Sequence, residues 1–298
     1  MQSGKPPPES RIDPLGGAAL DAARGTLREA LSGLRNFAEL LHSVRVGSKA
    51  LISVLPDVAA GCAPMRSTVD GLLVAVACRQ GLADASRSLQ SYFAPRLAHL
   101  DQELAAAAHR PLSAKSRLAL EQVITTLSLE LDTARGLLDL LVEAVSGRSV
   151  PLDLAELLQQ SFAGPPSGGA WNREQIVGTM SFVQADMEVE LNPRIATALF
   201  ALGVELVVQG GSGSPHVVVD RDATGHHRVN IERCAAAPAS ARSDDLILIA
   251  RGVIEPTLIC LRAVAAVSGV SLTWDEKAPS LHFAFPERAK SALRDELG

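Results

Sequence analysis

Residues 131–158 read "LDTARGLLDLLVEAVSGRSVPLDLAELL", and the period of the apolar positions changes inside this stretch. Upstream of Gly147 they belong to a run of Leu120, Ile124, Leu127, Leu131, Ala134, Leu138, Leu141 and Val145, in unbroken steps of four and three. That spacing is the seam of a long amphipathic helix. Ser113 can cap its start and Gly147 can end it. After Gly147 the pattern becomes mixed, so the stretch divides the chain into a helical half and an α/β half.

Upstream, a second seam runs Leu20, Ala23, Leu27, Ala30, Leu34, Phe37, Leu41, Val44, Ser48, Leu51 and Leu55, with one polar member. Proline removes a donor and pushes the preceding residue out of the helical region, so Pro56 is expected to end this helix. The reading gives a helix of about 37 residues, roughly 55 Å long. Two helices with such narrow apolar stripes cannot bury them alone, and a hairpin that dimerises into a four-helix bundle would satisfy both. Between them, 57–112 should add two helices, with Phe93, Leu97, Leu100, Leu104 and Ala107 at helical spacing and Pro95 as a kink or first-turn residue. The segment 82–108 is an alternative hairpin partner for the helix at 117–146. His99 and His109 read as solvated helix residues.

Beyond the PPSGG loop, "SFVQADMEVEL" alternates like a strand. "NPRIATALFALGVELVVQG" is a helix opened by Asn192 as cap and Pro193 at its first position. "HVVVDRDATGHHRVNIER" reads as two strands joined at 222–225. A further helix, "EPTLICLRAVAAVSGV", precedes a strand pair in "SLTWDEKAPSLHFAFP". This order predicts an α/β sandwich with helices on one face of a mixed sheet. The expected organisation is a tail at 1–17, a helical dimerisation region at 18–150, an α/β domain at 151–290 and a tail at 291–298.

Composition excludes several classes. A net charge of −5 and an isoelectric point near 5.8 give no basic footprint for nucleic acid. No signal peptide or long apolar span is legible, so the expected location is the cytoplasm and no membrane partner is expected. Cysteines at 62, 78, 234 and 260 are scattered without metal-ligand spacing and read as free thiols. His226 and His227 are adjacent in a strand and point to opposite faces, which makes no metal site. "QGGSGSPH" at 209–216 lacks the lysine and hydroxyl of a phosphate-binding loop and reads as a connection.

The arrangement resembles a bacterial sensor histidine kinase core, a dimerisation and phosphotransfer hairpin followed by an ATPase domain of the gyrase, Hsp90 and histidine kinase type. "LDTARGLLDLLVEAVSGRSVPLDLAELL" resembles the end of the second hairpin helix and the entry to the ATPase domain. "MEVELNPRIATALFALGVELVV" resembles the strand and first ATP-site helix, and "PTLICLRAVAAVSGVSLTW" with "LHFAFP" the closing helix and hairpin. The likeness spans most of 113–287.

The nucleotide motifs that the resemblance implies are broken. Two asparagines of the first ATP-site helix correspond to Ala201 and Glu205 here, and Glu205 retains only an oxygen ligand of the kind magnesium takes. The adenine-binding aspartate and its glycines give way to "NIERCAAAPAS", and Pro256 stands where lid glycines would be. The expectation is that ATP and magnesium binding are lost and that no cofactor is used.

The family's phosphoacceptor motif, His-Glu-Leu-Arg-Thr-Pro, is met by His42, Ser43, Val44, Arg45, Val46 and Gly47. Histidine, apolar third residue and arginine agree, whereas the acid after the histidine is replaced by Ser43. An imidazole can accept a phosphoryl group from a response-regulator aspartate without ATP. The resemblance thus implies a degenerate histidine-kinase-like protein, homodimeric, that docks response regulators or kinases through His42 and Arg45. It would act as a phosphotransfer intermediate or a non-catalytic modulator. An atypical active kinase using Glu205 for magnesium and a dimeric structural scaffold are the alternatives.

Overall fold

The computed structural model describes residues 14–43, 47–109, 113–163, 179–182, 188–209, 214–221, 226–234, 254–275 and 280–285. Five helices come first: α1 (Pro14–His42), α2 (Ser48–Cys62), α3 (Met65–Ala77), α4 (Ala83–Ala108) and α5 (Ala114–Ser146). The α5 seam folds as its spacing requires. Ser113 Oγ accepts from the Ser116 amide at 3.2 Å, and Gly147 follows the last turn in an extended conformation. Leu120, Ile124, Leu127, Leu131, Ala134, Leu138 and Leu141 are all buried.

The first seam departs from expectation. It is carried by two helices, because α1 stops at His42 and α2 starts after Gly47, whose backbone is extended. Pro56 lies inside α2 and does not end it. A proline within a helix leaves the carbonyl four residues earlier without its amide donor. Here that residue is Ile52, on the exposed side of α2, where water can serve the carbonyl. Pro95 sits inside α4 in the same way, with exposed Ser91 four residues before it.

Most of the described seam residues are buried within one chain. Helix α1 lies along α5, α4 packs on α5 and α3, and α2 folds back on α1 and α4. Leu27, Leu31, Leu34, Phe37 and Leu41 of α1 share a core with Leu55 of α2, Leu73 of α3, Phe93 of α4 and Leu138 of α5. Burying these residues therefore does not by itself require a second copy.

The α/β part comprises β1 (Val150–Asp153), α6 (Leu154–Ala163), β2 (Thr179–Phe182), β3 (Glu188–Leu191), α7 (Pro193–Gln209), β4 (Ser214–Arg221), β5 (His227–Cys234), α8 (Ile254–Val267), β6 (Ser271–Asp275) and β7 (Ser280–Phe285). The main sheet has the order β2-β4-β5-β7-β6 and is mixed, with β2 parallel to β4 and the remaining pairs antiparallel. Strands β1 and β3 form a separate antiparallel pair. The alternating stretch "SFVQADMEVEL" thus contributes to two sheets, β2 in one and β3 in the other.

Alternation sets the faces of the main sheet. Val217, Val219, Val229, Ile231, Leu281, Phe283 and Phe285 are buried beneath α7 and α8. Phe200 of α7 meets Phe283 edge to face at 5.6 Å. A Cβ at Gly203 would lie 2.7 Å from Leu281 Cδ2, so the missing side chain lets α7 sit directly on the strands. Helix α8 also packs on α4 and α5, which joins the helical and α/β parts in one apolar cluster. No described helix is long and apolar enough to cross a membrane.

Candidate functional site

His42 is the last residue of α1, and α5 builds its surroundings. The final carbonyls of a helix lack intrahelical donors. In α1 they are served by Arg117, whose Nε donates to the Leu41 carbonyl at 2.6 Å and whose Nη2 donates to those of Leu40 at 3.1 Å and Ser43. A guanidinium suits this place because its donors fan out in a plane and its charge complements the negative end of the helix dipole.

One turn further along α5, Glu121 Oε1 lies 2.8 Å from His42 Nδ1. Positions four apart project from the same face of a helix, so Arg117 and Glu121 act on α1 together. The former holds the backbone at the helix end and the latter holds the imidazole. The His42 side chain is 81% exposed and that of Glu121 19%, which leaves the far edge of the ring open to solvent. An ionised carboxylate only accepts hydrogen bonds, so this contact is a hydrogen bond in the tautomer that carries the proton on Nδ1. In that tautomer the lone pair of the neutral ring resides on Nε2, on the open side.

The register that brings these residues together is set by ion pairs further along the two helices. Arg24 Nε donates to Asp139 Oδ1 at 2.9 Å, and its Nη2 reaches the Asp139 carbonyl at 2.7 Å. Arg35 pairs with Asp132, and Arg135 bridges Asp132 at 2.9 Å and Asp139 at 2.7 Å. Asp132 and Arg135 are buried, and buried charges require this kind of pairing. The step from Arg24 to His42 has the same length as that from Asp139 to Glu121, about 27 Å of helix. Fixing one end of the antiparallel pair therefore places the other.

The ladder continues into the α/β part. Arg24 lies 3.6 Å from Glu143, whose carboxylate also accepts from Asn192 Nδ2 at 3.1 Å and approaches Arg194 at 3.5 Å. Asn192 simultaneously caps α7, its Oδ1 accepting from the amides of Arg194 at 2.9 Å and Ile195 at 3.3 Å. Gly147 is packed into this junction. A Cβ there would fall 2.0 Å from Asn192 Nδ2 and 2.6 Å from the Glu143 carbonyl oxygen.

Arg45 lies outside the described residues. Glu205 is on α7, four residues after half-buried Ala201, and its side chain lies outside them. The segment 235–253, with most of "NIERCAAAPAS" beyond β5, lies outside them too, as do the PPSGG loop, 210–213 and the 222–225 connection. Pro256 falls in the first turn of α8. His99 is half-exposed, 3.4 Å from Glu103 on its own helix. His226 is exposed and His227 buried, in keeping with opposite faces. Cys62 and Cys260 are buried free thiols and Cys78 an exposed one. Glu121 and Arg117 were not found by sequence reasoning.

In the kind and order of its elements, the chain is a helical bundle whose last long helix leads into an α/β sandwich. Solved structures similar to it include three histidine kinases. Histidine kinase AdeS of Acinetobacter baumannii is 14% identical, with 66% of this chain and 94% of that one covered and a TM-score of 0.37. A histidine kinase from Burkholderia phymatum STM815 is 18% identical over 69% of this chain and 95% of that one, at 0.34. The blue-light activated histidine kinase EL346 of Erythrobacter litoralis is 13% identical over 68% and 59%, at 0.29. No protein-family model and no curated protein matches the chain. Function does not transfer at this level of likeness and must come from the chain's own side chains.

Proposed function

We propose that the protein is a degenerate histidine-kinase-like signalling protein that exchanges phosphoryl groups with response regulators through His42 and does not use ATP. The observation that carries this reading is the pairing of His42 with Glu121. An exposed imidazole is held by one nitrogen on a carboxylate and turns the other outward, at the end of a helix fixed by Arg117. Leu118, three residues before Glu121 on α5, is an exposed large apolar side chain that we include in the proposed docking surface. Arg45, three residues after His42 in the sequence, is proposed to take part in docking. The loss of nucleotide is argued from Ala201, the glycine-free segment 233–242 and Pro256. The partner class is a response regulator or a kinase of the same pathway.

The experiment is phosphoryl transfer from a labelled, phosphorylated response regulator recovered by pull-down. Acid-labile label on His42, abolished by His42→Ala while binding stays within a few fold, is the expected result. Regulator binding with no label on wild-type protein would reduce the role to a modulator. ATP-dependent labelling abolished by Glu205→Ala would replace the reading with an active kinase.

A further inference from the structure

We infer that Glu121 is the positioning residue of the His42 site, holding the imidazole in the tautomer that makes Nε2 the phosphoryl-accepting atom. This rests on the relay reading of His42. The sequence offers no acid next to the histidine, since Ser43 occupies that place, but the fold delivers one from α5 at 2.8 Å from Nδ1. The His42 ring is otherwise largely in solvent, and Glu121 is its side-chain partner among the described residues. Glu121 is mostly covered, and the four-residue step to Arg117 ties its helix to the α1 backbone at the same point. The carboxylate is thus the more rigid partner and the imidazole the guided one.

The consequence for transfer can be followed atom by atom. An acyl phosphate donor, such as an aspartyl phosphate, presents phosphorus to the Nε2 lone pair. The Nε2–P bond forms as the P–O bond to the donor carboxyl breaks, and that bond's electron pair leaves with the donor as carboxylate. The ring retains its Nδ1 proton and becomes cationic. Glu121 faces that proton, so the developing charge is opposed by a carboxylate in contact with it. No proton has to leave the site during the step. Return of the phosphoryl group reverses each change.

Ring-selective nitrogen NMR of full-length protein reads the tautomer directly, and phosphoramidate serves as a small donor whose product on His42 is located by mass spectrometry. Wild-type protein should show His42 with Nδ1 protonated and Nε2 bare. Glu121→Ala should release the tautomer and slow phosphohistidine formation at His42 about 10-fold or more, the scale of lost outer-shell orientation. Glu121→Asp should recover part of both effects. Glu121→Gln should keep the tautomer through its amide oxygen but not the rate, because the neutral amide opposes no charge. Helix content by circular dichroism keeps folding apart from these readouts. A wild-type ring protonated on Nε2, or a tautomer and rate unmoved by Glu121→Ala, would overturn the inference. If the tautomer shifts as described but a phosphorylated response regulator never labels wild-type His42, the relay reading fails while the positioning role stands.

Discussion

Replacing Asp132 with alanine removes the carboxylate between Arg35 and Arg135 at the centre of the ion-pair ladder. The Asp132 side chain is 4% exposed and that of Arg135 8%, so the exchange leaves a covered guanidinium with one of its two acidic partners. Breaking a buried pair from one side costs about 3–5 kcal/mol. Here Arg135 keeps Asp139 at 2.7 Å, and Arg35, half-exposed, can turn to water. The lower end, about 3 kcal/mol, is therefore expected for Asp132→Ala. Removing both charges is a different perturbation. Asp132→Leu with Arg135→Met leaves the Arg24–Asp139 contact in place and fills the space with apolar atoms, which is near neutral in comparable buried pairs. Urea unfolding followed by far-ultraviolet circular dichroism measures both variants. A single variant within about 1 kcal/mol of wild type, or a double variant as unstable as the single one, would refute the argument that this pair is a covered, mutually dependent unit.

Two further outcomes follow from the packing. Gly147→Ala should destabilise by about 1–3 kcal/mol, because the added methyl meets a backbone carbonyl that cannot swing aside as well as the Asn192 amide. The same denaturant titration checks it, and an unchanged midpoint would mean that the junction relaxes freely. Alkaline pH should weaken the fold. Burial pushes the Cys62 thiol from 9.0 to about 11, with Asp101 adding to the rise, and pushes Cys260 from 9.0 to about 12. Because the folded state holds the neutral thiols, their stabilisation is complete below pH 9 and declines as pH rises towards about 11 to 12. Unfolding midpoints across that range should fall in wild type and fall less in Cys62→Ala with Cys260→Ala.

The helix at 114–146 was legible because its signals are local: a seam, a serine that caps the first turn, and a glycine after the last. Asn192 before Pro193 announced α7 in the same way, and alternation in β4, β5 and β7 gave the buried face of the sheet. The break between α1 and α2 was hidden because Leu41, Leu51 and Leu55 keep the seam spacing across it. Residues on both sides are buried in the same core, so periodicity records burial and not whether the axis is straight. Pro56 misled for the complementary reason, since its cost depends on whether the Ile52 carbonyl faces water, which pattern alone does not contain. The candidate site was half visible. His42 stood out by residue type and surroundings, but Glu121 lies 79 residues away in sequence. Its contact depends on the antiparallel register of α1 and α5, fixed by charges such as Arg24 and Asp139 that read individually as ordinary helix-surface residues.

Because α5 of the same chain supplies both Arg117 and Glu121, the described contacts that hold the end of α1 and the His42 ring lie within one molecule. If His42 is the docking site proposed above, its occupancy by a partner should scale with the number of chains and not with the square of their concentration. Titration would approach one equivalent per chain, and dilution would leave the turnover of each molecule unchanged. A cell making few copies would lose signal in proportion to their number, without a threshold. Mixing in chains bearing His42→Ala would dilute the wild-type signal without poisoning intact copies.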